Sequence, residues 1–328
     1  MDIELLPKLS GHKQALWKDL LCRSGLEPDI QTDCTLLIWD GDELIATGSR
    51  LGNVLKCIAV DNNRQGEDLT ATVLTHLRQD ALLTGHRHLF LYTKPRNKFL
   101  FSSLFFYPIA NTDSVLLMEN KPNGIGEFLD TLPTVNSEGA TGAVVVNCNP
   151  FTLGHRYLIE TAAQDCDRLY VFVLSEDRSY FKTADRIAMV MAGTKDLPNV
   201  TVLPTGPYLI SAATFPTYFL KDASAAPTVQ CELDCTVFAK YYVPRFGITR
   251  RYVGTEPTCD ITAEYNRSMH RILPEYGIAL QEIPRITTAD APISASAVRA
   301  LITEGRLDAI RSLVPNSTYD YLLEHNLL

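Results

Sequence analysis

Two short segments, far apart in the chain, combine residue types that suit phosphate binding. The first, Thr152–His155, reads T-L-G-H and follows a short apolar run. Gly154 would let a phosphate approach the backbone, and the free N–H groups of a helix start attract anions. His155 can donate a hydrogen bond to phosphoryl oxygens on which negative charge develops. Taken alone, these residues more often form a structural turn that carries an exposed histidine.

The second segment, Ile293–Arg299, reads I-S-A-S-A-V-R and predicts the start of a helix. Ser294 is a suitable N-cap residue. Ser296 and Arg299 then fall near the amino-terminal turn, where hydroxyls, free N–H groups and a guanidinium suit a β,γ-diphosphate. By itself the segment is also an ordinary capped helix. The occurrence of both segments in one half of the chain favours a nucleoside triphosphate site.

The elements around the first segment predict a parallel sheet. The run G-A-V-V-V-N at 142–147 is typical of a buried strand, and a helical stretch over 156–163 follows it. Further apolar runs then alternate with helical patterns, which predicts a Rossmann-like sheet with helices on both faces. Ligands bind such sheets beyond the carboxyl ends of the strands. The T-L-G-H turn lies at that end of the first strand.

Other residues that follow predicted strands are candidates for the same site. Arg178 and Lys182 could reach the phosphates, although exposed cations are as common on solvated surfaces. Gly254 and Glu256, in the segment V-G-T-E-P, could contact adenine or ribose, or could form a plain turn. Asn149 could bind phosphate or acetate, although asparagine is also frequent in turns.

The first half of the chain predicts a different architecture. Three strands separated by acidic and glycine turns occupy residues 35–60, and Leu69–Leu83 has apolar residues at helical spacing. A turn-rich break, E-N-K-P-N-G, follows near residue 120. The sequence therefore predicts an α+β domain over 1–125, a linker over 126–138 and the parallel-sheet domain over 139–328. The predicted fold class is α/β.

The bulk composition excludes several classes of function. The 328 residues are 46% hydrophobic with a net charge of −8, which argues against nucleic acid as a partner. No run approaches the ~20 apolar residues of a membrane span, and the first residues lack a leader pattern, so we expect a cytoplasmic protein. The eight cysteines have no repeated spacing, which favours reduced thiols and predicts no protein-built metal site.

The two polar segments together resemble the nucleotidyltransferase superfamily, in which such turns and serine–arginine helices hold ATP or CTP. More narrowly, four segments between 143 and 302 resemble the citrate lyase ligase family: N-P-F-T-L-G-H-R-Y-L-I-E, Y-L-I-S-A-A-T-F-P-T-Y-F-L-K, V-G-T-E-P and I-S-A-S-A-V-R-A-L-I. That resemblance implies an enzyme that uses ATP and acetate to acetylate a thiol on the citrate lyase acyl carrier. The thiol belongs to a phosphoribosyl-dephospho-coenzyme A prosthetic group.

The resemblance also implies roles for the candidate residues. We expect a two-step reaction through acetyl-adenylate, in which His155 stabilises charge on the α-phosphoryl group and Thr152 adds a hydroxyl donor. Lys182 is expected to assist there as a cation. The serines and the arginine of Ile293–Arg299 would hold the β- and γ-phosphates, with Mg²⁺ bridging these phosphates and keeping its waters.

The first half resembles the GNAT acetyltransferases, as it does in that ligase family. Their acyl-coenzyme A loop reads Q/R-x-x-G-x-G/A, whereas Asn63–Asp68 here reads N-R-Q-G-E-D. Glu67 and Asp68 place negative charge where a pyrophosphate would lie, and like charges repel. We therefore expect this half to dock the prosthetic arm or the citrate lyase surface, and not to use acetyl-coenzyme A independently.

Three alternative functions remain open at this level. An adenylyltransferase that acts on a small phosphorylated acceptor, such as phosphopantetheine, would use the same anion sites, although it needs no additional domain of about 120 residues. An acetyltransferase driven by the first half is disfavoured by Glu67 and Asp68. A non-catalytic nucleotide-sensing module has little need of His155 beside a complete triphosphate site.

Overall fold

The computed structural model describes residues 1–135, 139–175, 179–209, 215–220, 226–255, 260–288 and 291–328. Contacts between Cα atoms divide the chain into two compact units. The first comprises 1–127 and 212–233, and the second comprises 128–211 and 234–328. The sequence, through its composition shift near residue 120, gave no indication that residues 212–233 belong to the first unit. The domain limits drawn from the sequence stay a prediction.

The first unit is built on a mixed sheet with helices. The strands described within 1–135 are Asp2–Leu6 (β1), Cys34–Asp40 (β2), Glu43–Leu51 (β3), Val54–Val60 (β4), Phe90–Thr93 (β5), Tyr107–Asn111 (β6) and Leu116–Glu119 (β7). They lie in the order β1-β2-β3-β4-β5-β7-β6. Pairing is antiparallel except between β4 and β5, so the antiparallel strands predicted over 35–60 are confirmed. The helices are Gly11–Arg23 (α1), Leu69–Leu83 (α2), Lys98–Ser103 (α3) and Gly124–Asp130 (α4).

Helix α2 packs closely on this sheet, as its apolar spacing predicts. Val73 and Leu77 are fully buried. A Cβ atom at Gly48 of β3 would lie 2.4 Å from Cγ1 of Val73, so only glycine permits this separation. The helix predicted over Leu69–Leu83 is confirmed with the same bounds.

The second unit contains the predicted parallel sheet. Its strands are Thr141–Val146 (β8), Arg168–Val173 (β9), Val200–Pro204 (β10), Arg250–Gly254 (β11) and Ala279–Ile283 (β12), with a short antiparallel pair, Thr287–Thr288 (β13) and Ala291–Pro292 (β14). The order β10-β9-β8-β11-β12 is parallel throughout. Strand order reverses between β8 and β11, because β9 and β10 lie on one side of β8 and β11 and β12 on the other. Ligands bind parallel sheets at such a reversal.

Helices lie between and after these strands in the chain, although residues 226–233 of one of them belong to the first unit. They are Leu153–Gln164 (α5), Thr183–Gly193 (α6), Ala226–Val237 (α7), Val243–Phe246 (α8), Asp260–Ile272 (α9), Ala295–Thr303 (α10), Leu307–Ile310 (α11) and Asn316–Glu324 (α12). The predicted α/β fold class is confirmed. Among the described residues, no helix has the length and apolar character needed to cross a membrane.

Phe151, which follows β8, is part of the hydrophobic core of the second unit. Phe151 lies between β8 and α5 in the sequence. Its side chain is fully buried and packs among the apolar residues of β8, β9 and α6. A Cβ atom at Gly193 of α6 would lie 2.3 Å from the Phe151 ring. This close packing fixes the loop that leads from β8 to the T-L-G-H turn.

Candidate functional site

The T-L-G-H turn forms the amino-terminal cap of α5. Thr152 is the N-cap residue, in extended conformation, and its hydroxyl accepts from the His155 backbone N–H at 3.4 Å. In return, Nδ1 of His155 accepts from the Thr152 backbone N–H at 3.1 Å and lies 2.9 Å from the Thr152 hydroxyl oxygen. This is a capping box in which an imidazole takes the place of the usual glutamate or glutamine. The histidine ring is therefore held by the helix start itself.

These contacts define the protonation of His155. A backbone N–H can only donate, so Nδ1 is an acceptor and the proton of the neutral ring lies on Nε2. Burial, and secondly the positive charge of Arg285, together lower the pKa of His155 to about 4. Near neutral pH the ring is thus uncharged, with Nε2–H as its hydrogen-bond donor.

The two polar segments of the sequence adjoin in the structure. Arg299, on α10, donates from Nη1 to the backbone carbonyl of Asn149 at 2.6 Å, across 150 residues of sequence. A Cβ atom at Gly154 would lie 3.3 Å from the carbonyl oxygen of Ile293, so the two segments also meet through backbone. Both segments lie at the carboxyl end of β8. This proximity is the condition for one ligand to contact both.

The start of α10 has the predicted cap. The Ser294 hydroxyl accepts from the Ala297 backbone N–H at 3.2 Å, which confirms Ser294 as the N-cap residue. Its oxygen lies 3.0 Å from the hydroxyl oxygen of Ser296, which is exposed. Two hydroxyls therefore lie at the start of α10, and Arg299 follows them in its second turn. Their role toward phosphate stays a prediction.

The remaining candidates are distributed around the same sheet edge. Lys182 is exposed at the N-cap position of α6, after β9. Gly254 ends β11, and its carbonyl accepts from Nδ2 of Asn266 at 3.2 Å. Asn149 is buried, and its Oδ1 accepts from the Phe181 backbone N–H at 3.0 Å. Arg178 and Glu256 lie outside the described residues.

Sequence reasoning missed Arg186, which joins the loops that follow β8 and β9. The side chain is fully buried, and its guanidinium donates to the backbone carbonyls of Asn147 at 2.9 Å, Leu174 at 2.7 Å and Phe181 at 3.1 Å. It also donates to the hydroxyl of Thr183 at 2.9 Å. Because Asn149 in turn bonds the Phe181 backbone, this arginine indirectly supports the site.

A signal for Arg186 was present in the sequence. It stands on the buried face of α6, three and four residues before Met189 and Val190, which are both fully buried. A charged residue within an apolar helical stripe must find internal hydrogen-bond partners. Arg285 was also missed, because it follows β12 in a segment whose neighbours only the tertiary fold defines.

The described side chains at this edge suit a polyanion better than a bare metal ion. They supply an imidazole N–H, hydroxyls, helix-start N–H groups and a guanidinium. No group of three or more His, Cys, Asp or Glu residues that could hold a metal ion occurs in the part of the chain that the structure describes.

Comparisons with known proteins give the following similarities. Residues 141–322 match the family described as citrate lyase ligase C-terminal domain. The chain is 39% identical over 324 residues to citrate (pro-3S)-lyase ligase of Escherichia coli strain K12, covering 96% of this chain and 92% of that protein. Thermotoga maritima TmcAL, solved with α-thio ATP, has 17% identity and a TM-score of 0.38, covering 56% of this chain and 55% of its own. Escherichia coli ElaA has 16% identity and a TM-score of 0.32, covering 37% and 99%.

Proposed function

Because the chain belongs to the citrate lyase ligase family, we propose that it acetylates the citrate lyase acyl carrier at the expense of ATP. The substrates would be ATP, acetate and the carrier thiol, and the products the acetyl thioester, AMP and pyrophosphate. The hydrogen bond from Arg299 to the Asn149 carbonyl carries this proposal, because it joins the two predicted phosphate segments at one sheet edge. The acceptor would be the thiol of the phosphoribosyl-dephospho-coenzyme A group.

In the first step, a carboxylate oxygen of acetate attacks the α-phosphorus of ATP. The bond from that phosphorus to the bridging oxygen breaks, pyrophosphate leaves, and acetyl-adenylate forms. We propose that Nε2–H of His155 donates to a non-bridging α-phosphoryl oxygen, where charge increases in the transition state. A single donor of this kind contributes about 10²–10³ in rate. A neutral ring suits this role because it keeps a donor without titrating near pH 7.

The other residues at the turn act mainly through position in this proposal. Thr152 is 1% exposed and bonded to the imidazole, so it would orient His155 more than contact the nucleotide. Asn149 would support the loop through its bond to Phe181. Gly154 keeps the turn close to the lead into α10. Lys182, which is exposed, would approach the phosphates when ATP binds.

The start of α10 would hold the leaving pyrophosphate. Ser294, Ser296 and Arg299 supply donors from the first two turns of the helix, and the helix amino terminus adds a favourable field. Magnesium, when bound, would neutralise charge on these phosphates. We propose that this magnesium ion is bound mainly by the phosphates of the nucleotide and by water.

In the second step, the carrier sulfur attacks the acetyl carbon of acetyl-adenylate. The carbon–oxygen bond to the phosphate breaks, AMP leaves with the electron pair, and the thiol proton passes to solvent. The product is a thioester. The enzyme must therefore retain AMP's phosphate through both steps while pyrophosphate departs after the first.

The first unit is proposed to bind the carrier. It contains a cavity of about 490 Å³ beside the Asn63–Asp68 loop, also lined by Lys94 and Arg96. Arg64 of this loop contacts the carboxylates of Asp40 and Glu67, so its charge is already balanced within the unit. With this charge balanced, we propose that the unit docks the prosthetic arm or the citrate lyase surface and does not use acetyl-coenzyme A independently.

One assay tests the proposed function. The protein is incubated with labelled acetate, ATP and Mg²⁺, with and without deacetylated citrate lyase, and both AMP and carrier-bound label are measured. We expect label on the acyl carrier with equal release of AMP. Transfer of the adenylyl group to phosphopantetheine, without acetate dependence, would overturn the proposal in favour of a small-molecule adenylyltransferase.

A further inference from the structure

Arg285 is a cation at the carboxyl edge of the parallel sheet, and sequence reasoning did not select it. It lies two residues beyond β12, and its backbone N–H donates to the Thr255 hydroxyl at 3.3 Å. The Thr255 backbone N–H donates in turn to the Ile283 carbonyl at 3.0 Å. These two bonds join the segments that follow β11 and β12. The backbone of Arg285 is thus fixed at the carboxyl edge of the sheet.

The side chain of Arg285 runs along the end of β11. A Cβ atom at Gly254 would lie 3.7 Å from Cγ and 3.8 Å from Nε of this arginine. Strand β11 neighbours β8, whose carboxyl end carries the His155 turn. The positive charge of Arg285 also contributes to the lowered pKa of His155, after burial. The side chain is exposed, so a ligand can reach it.

We infer that Arg285 binds the α-phosphoryl group of the nucleotide together with His155, through both steps of the reaction. A guanidinium presents a planar set of donors that matches two phosphate oxygens, and the neutral imidazole adds one more. Arg299 belongs to the segment Ile293–Arg299, which is expected to bind the β- and γ-phosphates. The α-phosphate would therefore have its own arginine. This inference rests on the proposed function for its second step.

The division between the two arginines gives a distinctive experimental signature. AMP keeps the α-phosphate but lacks the other two, whereas pyrophosphate lacks the α-phosphate. Binding of AMP and of pyrophosphate is measured by calorimetry for wild type, Arg285→Gln and Arg299→Gln. Arg306→Gln is the matched control, because Arg306 is exposed and forms an ion pair with Glu304 on the surface.

We expect Arg285→Gln to weaken AMP binding about tenfold to hundredfold, the usual effect of losing a hydrogen bond to a charged group. Pyrophosphate binding should change less than twofold. Arg299→Gln should show the reverse pattern, and Arg306→Gln should bind both ligands as wild type does. Arg285→Lys should recover part of the AMP affinity, because it keeps the charge without the planar donor set.

With either role, Arg285→Gln should raise the pKa of His155 from about 4, because a positive charge has been removed, and NMR can follow this change. A purely structural role for Arg285 differs from the inference in leaving the affinity for AMP unchanged. AMP affinity within twofold of wild type in this variant would overturn the inference, even if wild type forms acetyl-adenylate. Conversely, if wild type shows no acetate-dependent AMP release, the proposed function fails while the AMP measurement still tests the phosphate contact.

Discussion

The His155 imidazole is held by the Thr152 cap, and its proposed catalytic contribution can be tested by substitution. We expect His155→Ala to slow acetate-dependent ATP–pyrophosphate exchange by about 10²–10³, since one transition-state donor is lost. His270→Ala is a suitable control, because His270 is exposed and pairs with Glu282 away from the turn. Exchange at near-normal rate in His155→Ala would contradict the assignment.

The low pKa of the same residue predicts a pH effect on stability. Folding lowers the pKa of His155 from 6.5 to about 4, so the unfolded chain binds the proton first as pH falls. The free energy of unfolding should therefore decrease from about pH 6.5 down to about pH 4, and change little from this source below that. Denaturant unfolding of wild type and His155→Gln at pH 4.5 and 7 measures the effect. The variant should lose less stability between the two pH values.

At this scale, sequence rules located some site residues and not others. The Ser294 cap follows from local preference, because the donor it satisfies is three residues away. The sequence indicated that the segments containing Asn149 and Arg299 could bind one ligand, but it did not predict their direct contact. Arg186 and Arg285 depend on which loops the fold brings together, and no local pattern encodes their partners.

At the scale of elements, Arg186 holds together the loops after β8 and β9. Arg186→Met should lower the free energy of unfolding by at least about 3 kcal/mol, because several buried carbonyls lose their donor. Arg186→Lys should be intermediate, since an ammonium has fewer donors with less fixed directions. Chemical denaturation measures both, and Arg306→Met serves as an exposed control. Equal stability of all three variants and wild type would show that the loops are held by other contacts.

The absence of a side chain at Gly154 allows α5 to lie close to the residues that precede α10. In Gly154→Ala, the new Cβ would be 3.3 Å from the Ile293 carbonyl oxygen, which is tight contact with backbone. We expect the KM for ATP to rise about tenfold, as a small shift separates the two phosphate segments, which corresponds to about 1.4 kcal/mol. Initial-rate kinetics measure the change. A variant with unchanged KM would show that the segments adjust without loss of the site.

The parallel sheet was predictable because short apolar runs alternate with helical patterns from residue 142 onward. The mixed sheet of the first unit was predictable only in part. Strand β1 is largely exposed, so its apolar pattern is weak. The parallel pairing of β4 with β5 brings together strands that are separated by helix α2. Such pairing reflects long-range packing that local periodicity does not report.

At the scale of the whole molecule, the first unit is not continuous in sequence. Tyr218, from the segment 212–233, donates its hydroxyl to the Tyr92 carbonyl and accepts at its own carbonyl from the Glu27 backbone N–H at 2.7 Å. Tyr218 and Phe219 are also buried. A fragment limited to residues 1–127 should therefore expose apolar surface and melt at a lower temperature than this unit does in the full chain. Thermal unfolding and dye binding test this, and identical melting would contradict it.

The bond between Arg299 and Asn149 also has a consequence for biosynthesis. A nascent chain that has emerged only as far as β12 already contains the imidazole turn but still lacks α10, which is proposed to complete the triphosphate site. Nucleotide affinity should consequently appear late in translation, when residues beyond 299 leave the ribosome. ATP can then stabilise the finished domain but has little hold on its unfinished forms.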